Sequence, residues 1–385
     1  MTLFANALRE ASRLTEAGRL MEATAAIQRM LAGNATAAAT ASAADDVGLT
    51  IQGSAKRVGE HQATHSFASR PSFLGKVSLK DLVRPKMHAT SFSGSVPVPE
   101  GANSEWSNYV GPTGSRRYMV YVPSSHRTDV PSPLVVMLHG CTQSPGDFAA
   151  GTRMNEAAEA GNFLVAYPEQ TSAANMQKCW NWFVDGDQRR GAGEPGVIAG
   201  ITREIVTRYA IDPSRVYVAG LSAGGAMAAI LGEAYPDLYA AIGVHSGLPC
   251  GAAHDMPSAF SAMRQGVPAN VCGGQHAPIR AIVFHGDRDT TVNLRNAEAV
   301  VAQAIGGAAL VTSSKSGTAR GGHGYTRTEC RDAAGHTVVE QWTIHGAPHA
   351  WAGGSVAGSY TDPRGPDATA EMVRFFLNST APVVH

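Results

Sequence analysis

Residues 216–234 read VYVAGLSAGGAMAAILGEA. Four apolar or small residues, Val216 to Ala219, have the length and β-branched content of a buried strand. GAMAAILGEA reads as a helix. Between them lies Gly220-Leu221-Ser222-Ala223-Gly224, a G-x-S-x-G turn in the strand-to-helix setting that a nucleophile elbow requires. A turn this tight leaves room only for small neighbours, which Gly220, Gly224 and Gly225 supply. It projects the Ser222 hydroxyl outward and sets it at a helix N-terminus, where partial positive charge favours a developing anion.

Outward from this turn, short apolar runs recur between helix-like stretches. RYMVYV (117–122) reads as an early antiparallel strand. LVVML (134–138), FLVAY (163–167), AIGV (241–244), IRAIVF (279–284) and VVEQWTI (338–344) read as further strands. A helix opens at Glu194-Pro195, with proline at an early helical position, and runs to Tyr209. Such alternation predicts an α/β protein with a mostly parallel sheet and helices on both faces. Reactive residues are then expected beyond the carboxyl ends of the strands.

A serine hydroxyl needs a base, and with this elbow the acid and base follow in the order Ser, Asp, His. IRAIVF runs into HGDRDTTV (285–292), where Asp287 and Asp289 compete; the H-G-x-x-D-x-x-V spacing favours Asp289 as the residue orienting the histidine. VVEQWTI leads to HGAPHAW (345–351). There His349, in a turn of small residues, is the expected general base, and His345 is expected to be structural. The oxyanion hole is expected from the Ala223 N–H and from the Cys141 N–H in the loop after LVVML. Cys141 is not expected to be a nucleophile, since no elbow surrounds it.

Taken together, LHGCTQ (138–143), CWNWF (179–183), IDPSRVYVAGLSAGGAM (211–227), HGDRDTTV (285–292), HAWAGG (349–354) and GSYTDPRGPDA (358–368) resemble the polyhydroxybutyrate depolymerase-type esterase family. Feruloyl and acetylxylan esterases are its relatives. The resemblance spans residues 105–380. It implies an α/β-hydrolase fold, a Ser222–Asp289–His349 triad, an oxyanion hole from Cys141 and Ala223, ester substrates, and no metal or cofactor. Cys141 and Cys179 head two of the matched motifs and are candidates for a bridge, as are Cys250 and Cys272. Trp180 and Trp182, with Phe183, are expected either to line the substrate site or to pack beside it, and Trp351 is expected at the substrate.

The 385 residues carry 31 basic and 31 acidic side chains. This balance argues against nucleic acid as a partner. No window of about 20 residues stays apolar enough to span a membrane. Residues 1–33 read as an amphipathic helical segment, expected to dock on the main domain or to contact a polyhydroxyalkanoate granule. Residues 34–104 read as a flexible linker, and 105–380 as the catalytic domain. Arg9, Glu10, Arg13 and Glu16 interrupt any signal-like apolar run, so a cytoplasmic or granule-associated location is expected, with an extracellular one as the alternative. Three functions follow from this reading: a polyhydroxybutyrate depolymerase, a feruloyl or acetylxylan esterase, and a non-catalytic granule scaffold. The last predicts a broken triad, whereas all three residues are present.

Overall fold

The computed structural model describes residues 98–268 and 277–378. The expected N-terminal helical segment and nearly all of the expected linker lie outside these residues, as does Cys272. The first strand begins at Asn103, two residues before the expected start of the catalytic domain.

Strands β1 (Asn103–Gly111) and β2 (Gly114–Val122) form a hairpin. Then come β3 (Ser132–Leu138), α1 (Pro145–Thr152), α2 (Met154–Gly161) and β4 (Leu164–Pro168). After a long loop, α3 (Gly193–Arg208) leads to β5 (Ile211–Leu221), α4 (Ala223–Ala234) and β6 (Ala241–His245). Next are α5 (Met256–Gln265), β7 (Ala281–Gly286) and α6 (Arg295–Ile305). The chain closes through β8 (Val311–Thr318), β9 (Gly324–Arg331), β10 (Thr337–Ile344), the short β11 (Trp351–Ala352) and β12 (Thr361–Asp362), and α7 (Ala368–Leu377).

The ten-stranded sheet has the order β1-β2-β4-β3-β5-β6-β7-β10-β9-β8. Its six central strands, β4 to β10 in that order, are parallel, and antiparallel strands flank them on both sides. Side chains alternate across the pleat. Leu134, Val136 and Leu138 of β3 face one core, packed with Val197, Ile198 and Ile201 of α3. Val135 and Met137 face the other, packed with Phe148 of α1 and Phe375 and Phe376 of α7. Two helix starts are capped by side chains as follows: Ser144 accepts from Asp147 N–H, and Asp255 and Ser258 form a reciprocal box.

The parallel strands fall where the apolar runs predict them. The hairpin partner β1 and the β8–β9 ribbon were not expected. β8 (VTSSKSGT) has no apolar face and is exposed along almost its whole length, so it carries no alternation to read. Among the described residues no helix is long and apolar enough to cross a membrane.

Candidate active site

The elbow is packed hard against main chain. A Cβ on Gly224 would lie 2.0 Å from the Leu138 carbonyl oxygen, and one on Gly220 would lie 2.4 Å from the Gly224 backbone. Both obstacles are main chain and cannot step aside, which is the physical reason for glycine at both positions. Ser222 itself sits at φ 58° and ψ −120°, a conformation that L-residues seldom adopt. Its N–H donates to the His245 carbonyl (2.9 Å) and its carbonyl accepts from Ala226 N–H, so strand β6 and helix α4 together hold the strained residue. The side chain is half-buried, and among the described residues its Oγ has no hydrogen-bond partner.

The loop after β3 runs beside the elbow: a Cβ on Gly140 would come within 3.6 Å of Ser222 Cβ. This loop is held from several sides. Gly140 N–H donates to Gln143 Oε1 (2.8 Å), and Gln143 Nε2 donates to the Ser359 carbonyl and to Asp147. Thr142 N–H donates to the Gln177 carbonyl (2.6 Å), and Cys141 is disulfide-bonded to Cys179. The buried His139 donates from Nδ1 to the Gly140 carbonyl and accepts at Nε2 from Gln170 N–H. Burial pushes its pKa down to about 4, which keeps the ring neutral and suited to these two bonds. The N–H groups of Cys141 and Ala223 donate to no acceptor among the described residues, so both remain available to an incoming oxygen.

The loops after β7 and β10 meet. His349 Nδ1 lies 2.6 Å from Asp289 Oδ2. The other Asp289 oxygen accepts the N–H groups of Thr291 and Val292, each at 2.8 Å. Burial by itself would raise the Asp289 pKa. The His349 hydrogen bond, the charges of His349 and His285 and the Val292 N–H outweigh it and hold the carboxyl below its ordinary value. Asp287 takes a different partner: it accepts from His345 Nδ1 (3.0 Å) and from Gly346 N–H (2.7 Å), in a more exposed position. The two Asp–His pairs of this region are therefore separate, and Asp289 is the one that faces His349.

His245 was not singled out in the sequence. It is fully buried, and it ties the two halves of the site together. Its carbonyl takes the Ser222 N–H, while its Nε2 accepts the Ala352 N–H (3.0 Å), three residues past His349. The ring stacks against Phe284 and Trp351, at 5.7 and 5.1 Å between centroids. Burial and the neighbouring His285 and His349 push its pKa to about 3, so Nε2 stays an acceptor. Tyr360 was also missed. At φ 52° it brings its hydroxyl to 3.2 Å from that of Thr142, itself at φ 66°.

The tryptophans expected at the substrate are core residues. Trp180, Trp182 and Trp351 are 0, 5 and 1% exposed. Trp180 donates from Nε1 to the His139 carbonyl, and Trp351 from Nε1 to Thr369 Oγ1, with its face against His245 and its ring meeting Phe148 edge-on. Trp180 and Trp351 offer no open face to a ligand, and Trp182 almost none. For Trp180 and Trp182 this is the packing alternative of the sequence reading; for Trp351 it corrects the expectation of a substrate contact, since its ring is buried against His245 and Phe148.

The family model described as Esterase PHB depolymerase matches residues 116–331. The chain belongs to this family. Within it, the chain is 33% identical over 259 residues to poly(3-hydroxyalkanoate) depolymerase C of Paucimonas lemoignei, covering 64% of this chain and 61% of that one. It is 31% identical over 241 residues to poly(3-hydroxybutyrate) depolymerase of Ralstonia pickettii, covering 58% of this chain and 48% of the other. It is also 32% identical over 172 residues to feruloyl esterase B of Neurospora crassa, covering 43% and 55%. The chain thus spans about half to three-fifths of the length of these family relatives. The solved acetyl xylan esterase from Aspergillus awamori superposes with a TM-score of 0.54 at 23% identity, over 64% of this chain and 94% of that one, and shares the α/β-hydrolase fold.

Proposed function

We propose that this protein is a serine esterase that cleaves polyhydroxybutyrate or its short oligomers, with Ser222 as nucleophile, His349 as base and Asp289 as its orienting acid. The observation that carries the reading is the 2.6 Å Asp289–His349 hydrogen bond, joined through His245 to the strained elbow that holds Ser222. His349 takes the proton of Ser222 as Oγ attacks the ester carbonyl. The N–H groups of Cys141 and Ala223 receive the oxyanion, the alcohol leaves with the proton from His349, and water releases the acid by the same steps. The charge held on Asp289 stabilises the imidazolium formed in between.

The polyester substrate is supported by the two depolymerase relatives at 33 and 31% identity. A second reading, a carbohydrate-side-chain esterase, is supported by the feruloyl esterase at 32%. The experiment that separates them measures 3-hydroxybutyrate released from amorphous polyhydroxybutyrate, with methyl ferulate in parallel and Ser222→Ala as the blank. Polymer cleavage that depends on Ser222, with ferulate untouched, is the expected result. Ferulate cleavage alone moves the substrate to plant-wall esters, and a folded Ser222→Ala protein with normal turnover removes the mechanism. Granule contact through residues 1–33 belongs to the same proposal and fails if deleting them leaves co-sedimentation with granules unchanged.

A further inference from the structure

At the end of the sheet opposite the loops that carry Ser222 and His349 there is a cavity of about 290 Å³. It opens where β7 and β10 begin, whereas Asp289 and His349 follow the strands' far ends. The six residues of β7 separate the two places by roughly 20 Å. Four arginines line the cavity, Arg280, Arg327, Arg331 and Arg374, and the one carboxylate among its lining residues is Glu340.

That carboxylate is already engaged. Glu340 is 1% exposed; Oε1 accepts from Arg327 (2.9 Å) and Oε2 from Arg374 (2.6 Å). Arg331 pairs with Glu329. Arg280 is left without a carboxylate partner among the described residues. Its Nη2 donates to the Phe375 carbonyl (2.8 Å), its guanidinium lies 4.7 Å from the Phe375 ring centroid, and its Nε is buried with no acceptor. The Nε of Arg327 is also buried and unpaired. Burial lowers the Arg280 pKa from the guanidinium norm, as it must for a desolvated cation whose counter-charge is incomplete. These two Nε atoms are sealed from the cavity; the Arg280 Nη1 group is not, has no acceptor among the described residues, and is the donor an incoming acceptor can satisfy. Guanidinium forks match the paired oxygens of carboxylates and phosphates.

We propose that this arginine-lined cavity is a binding site for a small oxyanion, a carboxylate or a phosphate, held chiefly by Arg280 with Arg327 and Arg331 beside it. The site is separate from the ester-cleaving centre and does not depend on the identity of the ester. A hydroxyacid released by the enzyme and free inorganic phosphate offer the same chemistry.

The test is calorimetric titration of the full-length protein with sodium phosphate and, separately, with sodium 3-hydroxybutyrate, at ionic strength fixed with sodium chloride. Saturable binding of at least one anion is expected, unchanged in Ser222→Ala, at least ten-fold weaker in Arg280→Met and several-fold weaker in Arg331→Gln. Hydrolysis of a soluble ester by the Arg280→Met protein should stay within two-fold of the parent. Binding of phosphate alone or of the hydroxyacid alone supports the site and identifies its source. Absence of saturable binding by either anion overturns the proposal, as does equal affinity in parent and Arg280→Met. So does loss of binding in Ser222→Ala, which would put the anion at the catalytic centre. Should Arg280→Met fail to fold, Arg331→Gln decides: parent-like affinity there overturns the proposal.

Discussion

His245 joins the serine elbow to the histidine loop, and one pair of variants isolates that joint. Gln and Met have nearly the same shape, and both lose the ring that stacks on Phe284 and Trp351. They differ in that Gln offers an acceptor where Nε2 now receives the Ala352 N–H at 3.0 Å. With Met at 245 that N–H is left buried and unpaired, which costs about 1–3 kcal/mol relative to Gln. For a domain of this size, roughly 2–4 °C accompanies each kcal/mol, so His245→Met should melt roughly 2–12 °C below His245→Gln. Ala352 lies three residues from His349, so the released segment carries the base with it. If about 1.4 kcal/mol of the loss is felt at the transition state, kcat falls about ten-fold further in the Met variant. KM should change little, because no substrate contact is removed. The assays are calorimetric melting and steady-state hydrolysis of a p-nitrophenyl ester. Equal melting temperatures and equal kcat in the two variants would refute the argument that this hydrogen bond aligns the site.

Other outcomes follow from the same geometry. Asp289→Asn should lower kcat about ten-thousand-fold, by loss of the anion that orients and stabilises the His349 ring, while Asp287→Asn stays within a few-fold; equal losses would undo the separation of the two Asp–His pairs. Acid should destabilise the fold before most carboxyls titrate. His139 and His245, held to about 4 and about 3, stay neutral in the folded state but gain protons near 6.5 once unfolded. Their contribution is full above pH 6.5 and declines below it, by about 2 kcal/mol each at pH 5, while the burial-raised Asp187 and Glu194 oppose the trend lower down. Urea unfolding that is flat from pH 7 to 5 would contradict this. Reducing the Cys141–Cys179 bridge, which closes a 38-residue separation, should remove about 4 kcal/mol on the chain-entropy estimate. Activity should fall before the protein unfolds, since Cys141 supplies the proposed oxyanion donor; a reduced enzyme with full kcat and an unchanged melting temperature would exclude that role.

The parallel sheet was legible because each of its strands is a short apolar run. The candidate site was legible because Ser222, Asp289 and His349 each stand just past such a run, and the structure brings Asp289 and His349 to 2.6 Å. What stayed hidden depends on contacts distant in sequence. An indole reads alike as a substrate wall or as core until its N–H partner is known, and for Trp180 and Trp351 those partners are His139 O and Thr369 Oγ1. His245 reaches Ala352 across 107 positions and holds Ser222 through its backbone carbonyl, for which side-chain identity leaves no signal. The β8–β9 ribbon escaped because its pairing is carried by main chain and by threonine and serine hydroxyls such as Ser314 with Thr328.

That ribbon also bears on how the molecule can meet copies of itself. Among the described residues β8 has no partner on its outer side, and an open row of amide and carbonyl groups is a template for another chain. Here the row is lined by serines and threonines with Lys315 in their midst, all solvated. An eleventh strand would have to strip water from these hydroxyls and bring a second Lys315 alongside the first. A strand with no apolar face is thereby a poor template for fibrillar growth, and a Lys315→Val, Ser313→Val variant should self-associate more than the parent in light scattering.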